Sequence, residues 1–275
     1  MEKFLKVGRI FYGTAMAGTG FQLIYYSDFH PMILPPLHSW IPGLRFWAYL
    51  GGAALIAVGA AIIFKTTARA AALVLGGILL ALFCFYYIPY ELIIDPNSKY
   101  LGQWGDAEKE LALSGGALLI GGSFPEGVVK FQKKNLLIRF LEKLIPYGGI
   151  FFSITMISFG IDHFLYTKNV ATLVPSWIPH PVFWTLFAAV ALIGSGIAII
   201  VKIKLKLIAT LLGTMIFLWF IVLHIPRAIA LPFNNMGEEV TSAFSALAFS
   251  GIAFVIAGGG YSEKGWFTLN RKLHE

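Results

Sequence analysis

The side chains able to move a proton or hold a polar ligand gather at four places: Asp162-His163, His180, His224-Ile225-Pro226-Arg227, and Tyr87 to Glu91. Imidazole titrates near neutrality, and a carboxylate beside it can fix its tautomer. Asp162-His163 therefore reads as an acid–base pair in which Asp162 orients His163, with His224 as a second proton carrier. Tyr87, Glu91, His180, Arg227 and Trp177 add a phenol, an acid, a third imidazole, a cation and an aromatic face, the makings of a small cofactor pocket. The competing reading is that histidines at a lipid–water boundary only bond headgroups or loop backbone. A metal site needs three or four convergent ligands; no His-x-x-x-His spacing occurs, and none is expected. The single cysteine, Cys84, excludes intrachain disulfides and dithiol chemistry. No glycine-rich dinucleotide fingerprint, phosphate loop or nucleophile elbow is present.

The elements that must position these residues are apolar. Of 275 residues 57% are hydrophobic and 13% charged, and mean hydropathy is +0.75. A soluble domain is about a quarter charged, so this composition predicts an all-α integral membrane protein. Runs such as 51–64 and 188–201 show no two-residue alternation, which excludes a transmembrane barrel. Asp162-His163 falls about one helical turn, roughly 5 Å, inside the end of a span. Ionisable groups there are costly unless they face protein or a wet cavity.

The sequence repeats. Ser39-Trp40-Ile41-Pro42 returns as Ser176-Trp177-Ile178-Pro179 at an offset of 137, which also pairs Trp47 with Trp184, Gly59 with Gly196, Tyr87 with His224 and Pro89 with Pro226. Upstream the offset is 140 (Met16 with Met156, Leu23 with His163), and downstream it is 136 (Ser114 with Ser250, Gly115 with Gly251). Internal repeats fix architecture before local detail does. The expected organisation is a four-helix repeat over 1–123, a basic amphipathic linker over 124–145, a second repeat over 146–260 and a cytoplasmic tail over 261–275. The eight spans are expected near 10–26, 44–64, 70–88, 108–123, 146–166, 181–201, 205–225 and 241–259, with Pro89 and Pro226 ending the third and seventh. The linker lies on the inner leaflet or packs on the base of the bundle.

With both termini on one side, that side holds 16 Lys and Arg and the other five. The positive-inside rule then makes the termini cytoplasmic. An even number of spans per repeat makes the two repeats parallel. The net charge of +7 is assigned to anionic lipid, the expected partner, and not to nucleic acid, because no basic soluble domain exists to carry it. Histidine and acid concentrate in the second copy: Asp162 replaces Gln22, His163 replaces Leu23 and His224 replaces Tyr87. One active half beside one structural half fits this. So does a single site between the halves, with Tyr87, Tyr90 and Glu91 facing His224 and Arg227.

Four spans per copy, an outer Trp-x-Pro before the second span, Gly59 and Gly196 within it, Pro89 and Pro226 closing the third, and Ser114-Gly115 and Ser250-Gly251 in the fourth resemble the DoxX-like family of small membrane proteins. This chain would be a tandem duplication of the family's unit. The resemblance implies a quinone-linked redox subunit of a bacterial or archaeal inner membrane, working with other membrane redox subunits, with quinone as the expected cofactor. The alternative is a non-enzymatic accessory subunit or a small-solute pathway.

Overall fold

The computed structural model describes residues 1–34, 41–64, 67–125 and 136–261. Those residues are helical throughout, with no strand among them. The long helices are α1 (Glu2–Tyr26), α2 (Leu44–Phe64), α3 (Ala68–Leu82), α4 (Gly105–Gly122), α6 (Gly148–Leu165), α8 (Pro181–Ile200), α9 (Leu205–Trp219) and α11 (Glu238–Val255). Three short helices join them: α5 (Leu136–Glu142), α7 (Thr167–Ala171) and α10 (Ile225–Ala230). Six helical stretches are long and apolar enough to cross a membrane: Leu44–Phe64, Ala68–Ile94, Leu136–Leu165, Pro181–Ile200, Leu205–Ala230 and Asn234–Gly260. The chain is a multi-pass membrane protein. His38, Trp40, Lys65, residues 126–135 with Lys130, Lys133 and Lys134, and the tail with Lys264, Arg271, Lys272 and His274 lie outside the described residues.

Two prolines expected to end helices do not. A proline inside a helix removes a donor and clashes with the carbonyl four residues back. Here a wide, π-helical turn precedes each one: Phe83–Tyr87 before Pro89 and Phe220–His224 before Pro226. Ile88 N–H bonds the Phe83 carbonyl and Ile225 N–H bonds the Phe220 carbonyl, five residues back in each case. The extra residue in the turn moves the carbonyls off the ring, and the helices run on to Ile94 and Ala230.

The bundle is organised around α4 and α11. Residues 110–121 of α4 and 245–255 of α11 are buried at every position, whereas the other apolar helices bury one face. Their partners approach on glycine. A Cβ on Gly115 would stand 2.5 Å from the Gly148 carbonyl, and one on Gly251 would stand 2.7 Å from the Gly8 carbonyl. Thus α4 packs against α6, and α11 against α1, so packing crosses between the sequence copies. The same close approach joins α1 to α2, where a Cβ on Gly20 would stand 2.5 Å from the Gly52 carbonyl, and α6 to α8, where a Cβ on Gly160 would stand 2.8 Å from the Ala189 carbonyl. Ser114 Oγ donates to the Gly76 carbonyl and Ser250 Oγ to the Gly213 carbonyl, both at 2.8 Å, tying α4 to α3 and α11 to α9. Small residues let helix backbones come close enough for dispersion to hold them where no hydrophobic driving force separates protein from lipid.

At the opposite end from the histidines, two arginines finish α4. Arg69 donates to the Phe124 carbonyl at 2.9 Å and pairs with Glu142 of α5 at 2.8 Å; Arg9 donates to Ser123 Oγ at 3.0 Å and lies over the Phe124 ring. Cations at a helix C-terminus satisfy its free carbonyls and oppose its dipole. α5 packs on the bundle base through Ile138 and Leu141, against Leu73 and Leu118, and exposes Leu136 and Phe140. The linker's described part thus packs on the base of the bundle.

Gly115→Leu would drive a side chain into the α6 backbone and should lower unfolding free energy in micelles by about 1–3 kcal/mol or more. Gly194→Leu, on α8 with nothing within 4 Å, is the control and should leave the unfolding midpoint in place.

Candidate functional site

At the histidine end, between α6, α8, α9 and α11, lies a cavity of about 290 Å³. Its walls are mostly apolar: Phe159, Phe249, Met215 and Leu192, with Trp184 and Trp219 as larger faces. α7 and the residues after it close the rim with Val170, Leu173 and Val174. Set into these walls are His163, His224, Lys109, Thr185, Ser242 and Ser245. An apolar body with a few convergent polar groups is the usual form of a small-molecule site.

The backbone explains how each polar group arrives there. His163 sits near the end of α6, where its Nδ1 lies 2.7 Å from the Phe159 carbonyl. His224 is the last residue of the wide turn before Pro226; its Nδ1 is buried and has no hydrogen-bond partner among the described residues. Lys109 reaches in from α4, holding Asp106 at 2.8 Å. Ser245 Oγ donates to the Thr241 carbonyl at 2.9 Å, one turn back on α11.

Of the eight residues expected to form a site, the cavity brings together His163 and His224. Asp162, expected to orient His163, is not among its walls, and His163 Nδ1 is engaged by the Phe159 carbonyl. Neighbouring residues on a helix point about 100° apart, so an Asp-His dipeptide cannot serve one face. Asp162 turns toward α4, close enough to Glu108 for their charges to interact, and its Oδ1 has no partner among the described residues. Tyr87 is buried in the first copy, its hydroxyl donating to the Pro31 carbonyl. Glu91 is buried near Asp95 and Asp106, and its Oε2 has no partner among the described residues. Arg227 is committed to Glu239 of α11. His180, in a left-handed conformation ahead of α8, and Trp177, 72% exposed, lie on the surface. A shared site in which Tyr87, Tyr90 and Glu91 face His224 and Arg227 is not what this cavity is.

Sequence reasoning passed over Glu108, Lys109 and Glu110 as site residues. The helical turn sends them three ways: Glu108 to Ser158 of α6, Lys109 to the cavity, and Glu110 toward Tyr87 and Asp106. Glu110 is fully buried and neither carboxyl oxygen has a partner among the described residues. The available signal was the repeat. At the offset of 136 these residues match Phe244, Ser245 and Ala246, so the first copy is charged where the second is neutral. The contact is complementary too: Ser158 faces Glu108, while its match Gly18 accommodates the Phe244 ring.

His30 lies between α1 and α2, 6% exposed. Its Nδ1 accepts the Met32 N–H at 3.2 Å, so the neutral ring is the form that fits. Burial pushes this imidazole below its ordinary value, against a smaller opposing pull from Asp106. A lowered folded-state value means that the unfolded loop takes up the proton first. The contribution to stability is present above about pH 6.5 and is lost as pH falls through the folded value.

No protein-family model matches the chain, no curated protein matches its sequence, and no solved structure matches its fold.

Acidification from about pH 7.5 to about pH 5 should raise amide exchange in residues 28–34. His30→Gln should remove that pH dependence; an unchanged exchange profile across the range would refute the account of His30.

Proposed function

We propose that this chain is an eight-span membrane protein built from two parallel four-helix repeats, and that its cavity holds a quinone headgroup as the ligand-binding part of a membrane redox system. The observation that carries the reading is that His163 and His224, far apart in sequence, line one apolar cavity of about 290 Å³. A quinone is a flat apolar ring with two carbonyl oxygens. Trp184 and Trp219 supply faces for such a ring, and two imidazoles supply hydrogen-bonding groups able to give or take a proton. The motifs shared with the DoxX-like family point the same way.

The span count has independent support. α1 has 25 residues and α4 has 18, or about 37 and 27 Å of helix, near the thickness of a bilayer core. α4 is poorer in apolar residues because it is enclosed by other helices and meets little lipid. The matched contacts of Gly115 with Gly148 and Gly251 with Gly8 support the parallel arrangement. The excess of Lys and Arg in the segments on the termini's side of the expected spans supports cytoplasmic termini.

Lipid extracts of the purified protein should contain quinone at about one per chain. His163→Ala with His224→Ala should cut retention roughly tenfold or more, as loss of two buried hydrogen bonds requires, with the unfolding midpoint little changed. Quinone-free preparations that neither retain added quinone nor show quinone-dependent activity would favour the accessory-subunit or solute-pathway reading.

A further inference from the structure

The first copy contains a chamber matching the cavity, and the chain fills it with its own residues. Three contacts establish this. The Pro31 carbonyl accepts a hydrogen bond from Tyr87, and Tyr87 corresponds to His224. The Phe29 ring lies 3.4 Å from where a Cβ on Gly51 would stand, and Gly51 corresponds to Ala188. Met32 Sδ lies 3.1 Å from Ser245 Oγ, and Ser245 corresponds to Lys109. Ala188, His224 and Lys109 all line the cavity of the second copy. The strap from Phe29 to Met32 thus occupies, in one copy, the space left open in the other.

Loop length accounts for the difference. The offset falls from 140 before the loop to 137 after it, so the first loop is longer by three residues. Those residues let it descend between the helices, where Met32 is 1% exposed. The shorter second loop folds as α7 and stays at the rim.

Resting on the reading of the cavity as a ligand site, we infer that the ligand sits as the strap sits, presenting an oxygen acceptor to the His224 ring as Pro31 presents its carbonyl to Tyr87. The Tyr87 hydroxyl is satisfied by the strap; the matching His224 Nδ1 is buried without a partner among the described residues. A buried polar atom of that kind is costly until something bonds it. The strap also specifies what fits: an aromatic or apolar body carrying one carbonyl-like oxygen. Because the first chamber is occupied by the protein itself, each chain takes one such molecule.

The test uses the full chain in nanodiscs of synthetic phosphatidylcholine, with 1,4-naphthoquinone and naphthalene as probes of similar shape. Naphthoquinone should bind at one per chain, about tenfold more tightly than naphthalene after correction for partition into lipid. His224→Ala should erase that preference, weakening naphthoquinone about tenfold and leaving naphthalene unchanged; His224→Tyr, which copies the first chamber's donor, should keep it. Tyr87→Phe should leave both affinities unchanged. Equal binding of the two probes, saturation at two per chain, or loss of both on His224→Ala with an unaltered unfolding midpoint would overturn the inference while leaving a binding cavity in place. Failure of the native protein to bind either probe would overturn the ligand-site reading as well.

Discussion

The approach of backbone to backbone at glycine is the constraint on which this bundle depends. In lipid, apolar side chains gain little by leaving one apolar medium for another, so helices associate where their surfaces fit closely. The Gly115–Gly148 and Gly8–Gly251 contacts bring α4 and α11 within reach of helices from the other sequence copy. Because these contacts cross between copies, α4 and α11 are surrounded by protein. Enclosure is what allows α4 to carry Glu108, Lys109 and Glu110, which would be prohibitive on a lipid-facing helix. Tight packing and buried charge are therefore linked: the glycine contacts create the only kind of surroundings in which the charges are tolerable.

On the two-repeat reading, the cavity between α6, α8, α9 and α11 has a counterpart between α1, α2, α3 and α4 that the strap fills. Their fates differ through small changes of sequence. Three additional loop residues place Met32 and Ile33 in the core of one. In the other, a shorter loop becomes α7, and histidines stand where the first copy has Leu23 and Tyr87. On the proposed duplication, one chamber is closed by the chain itself and the other is free to diverge without loss of the fold.

Much of the helical plan was legible. The bounds of Leu44–Phe64 were read directly, because a run of apolar residues between polar turns admits one interpretation in a membrane. Pro89 and Pro226 misled, since the cost of a proline is local and a wide turn upstream relieves it; periodicity gives no sign of that turn. His163 and His224 were identified by chemical type and by their departure from the first copy. Asp162 was misassigned because adjacency in sequence suggested a shared face that helical geometry denies. Tyr87 and Glu91 were grouped with the site by their position at one end of the bundle, but the strap and the π turns that separate them from the cavity depend on tertiary packing. Lys109 was overlooked because its contribution is across copies, and nothing local to residues 105–122 reveals which neighbour it meets.

The wide turns show how a solution to a backbone problem also shapes a site. Pro226 makes a regular turn at that position unfavourable, and the Phe220–His224 turn absorbs the conflict with one additional residue. That residue advances the phase of the helix, so the side chain closing the turn faces inward and not along the regular 3.6-residue path. In the first copy the residue so displaced is Tyr87, which finds the Pro31 carbonyl; in the second it is His224, which lines the cavity. The proline and the inward-facing polar group are thus parts of one device, present twice. What distinguishes the copies is whether the partner of that group is supplied by the chain, and this turns on the length of a loop some fifty residues away in sequence from Tyr87. Backbone strain relieved at one position and loop length set at another jointly determine where a polar contact can form.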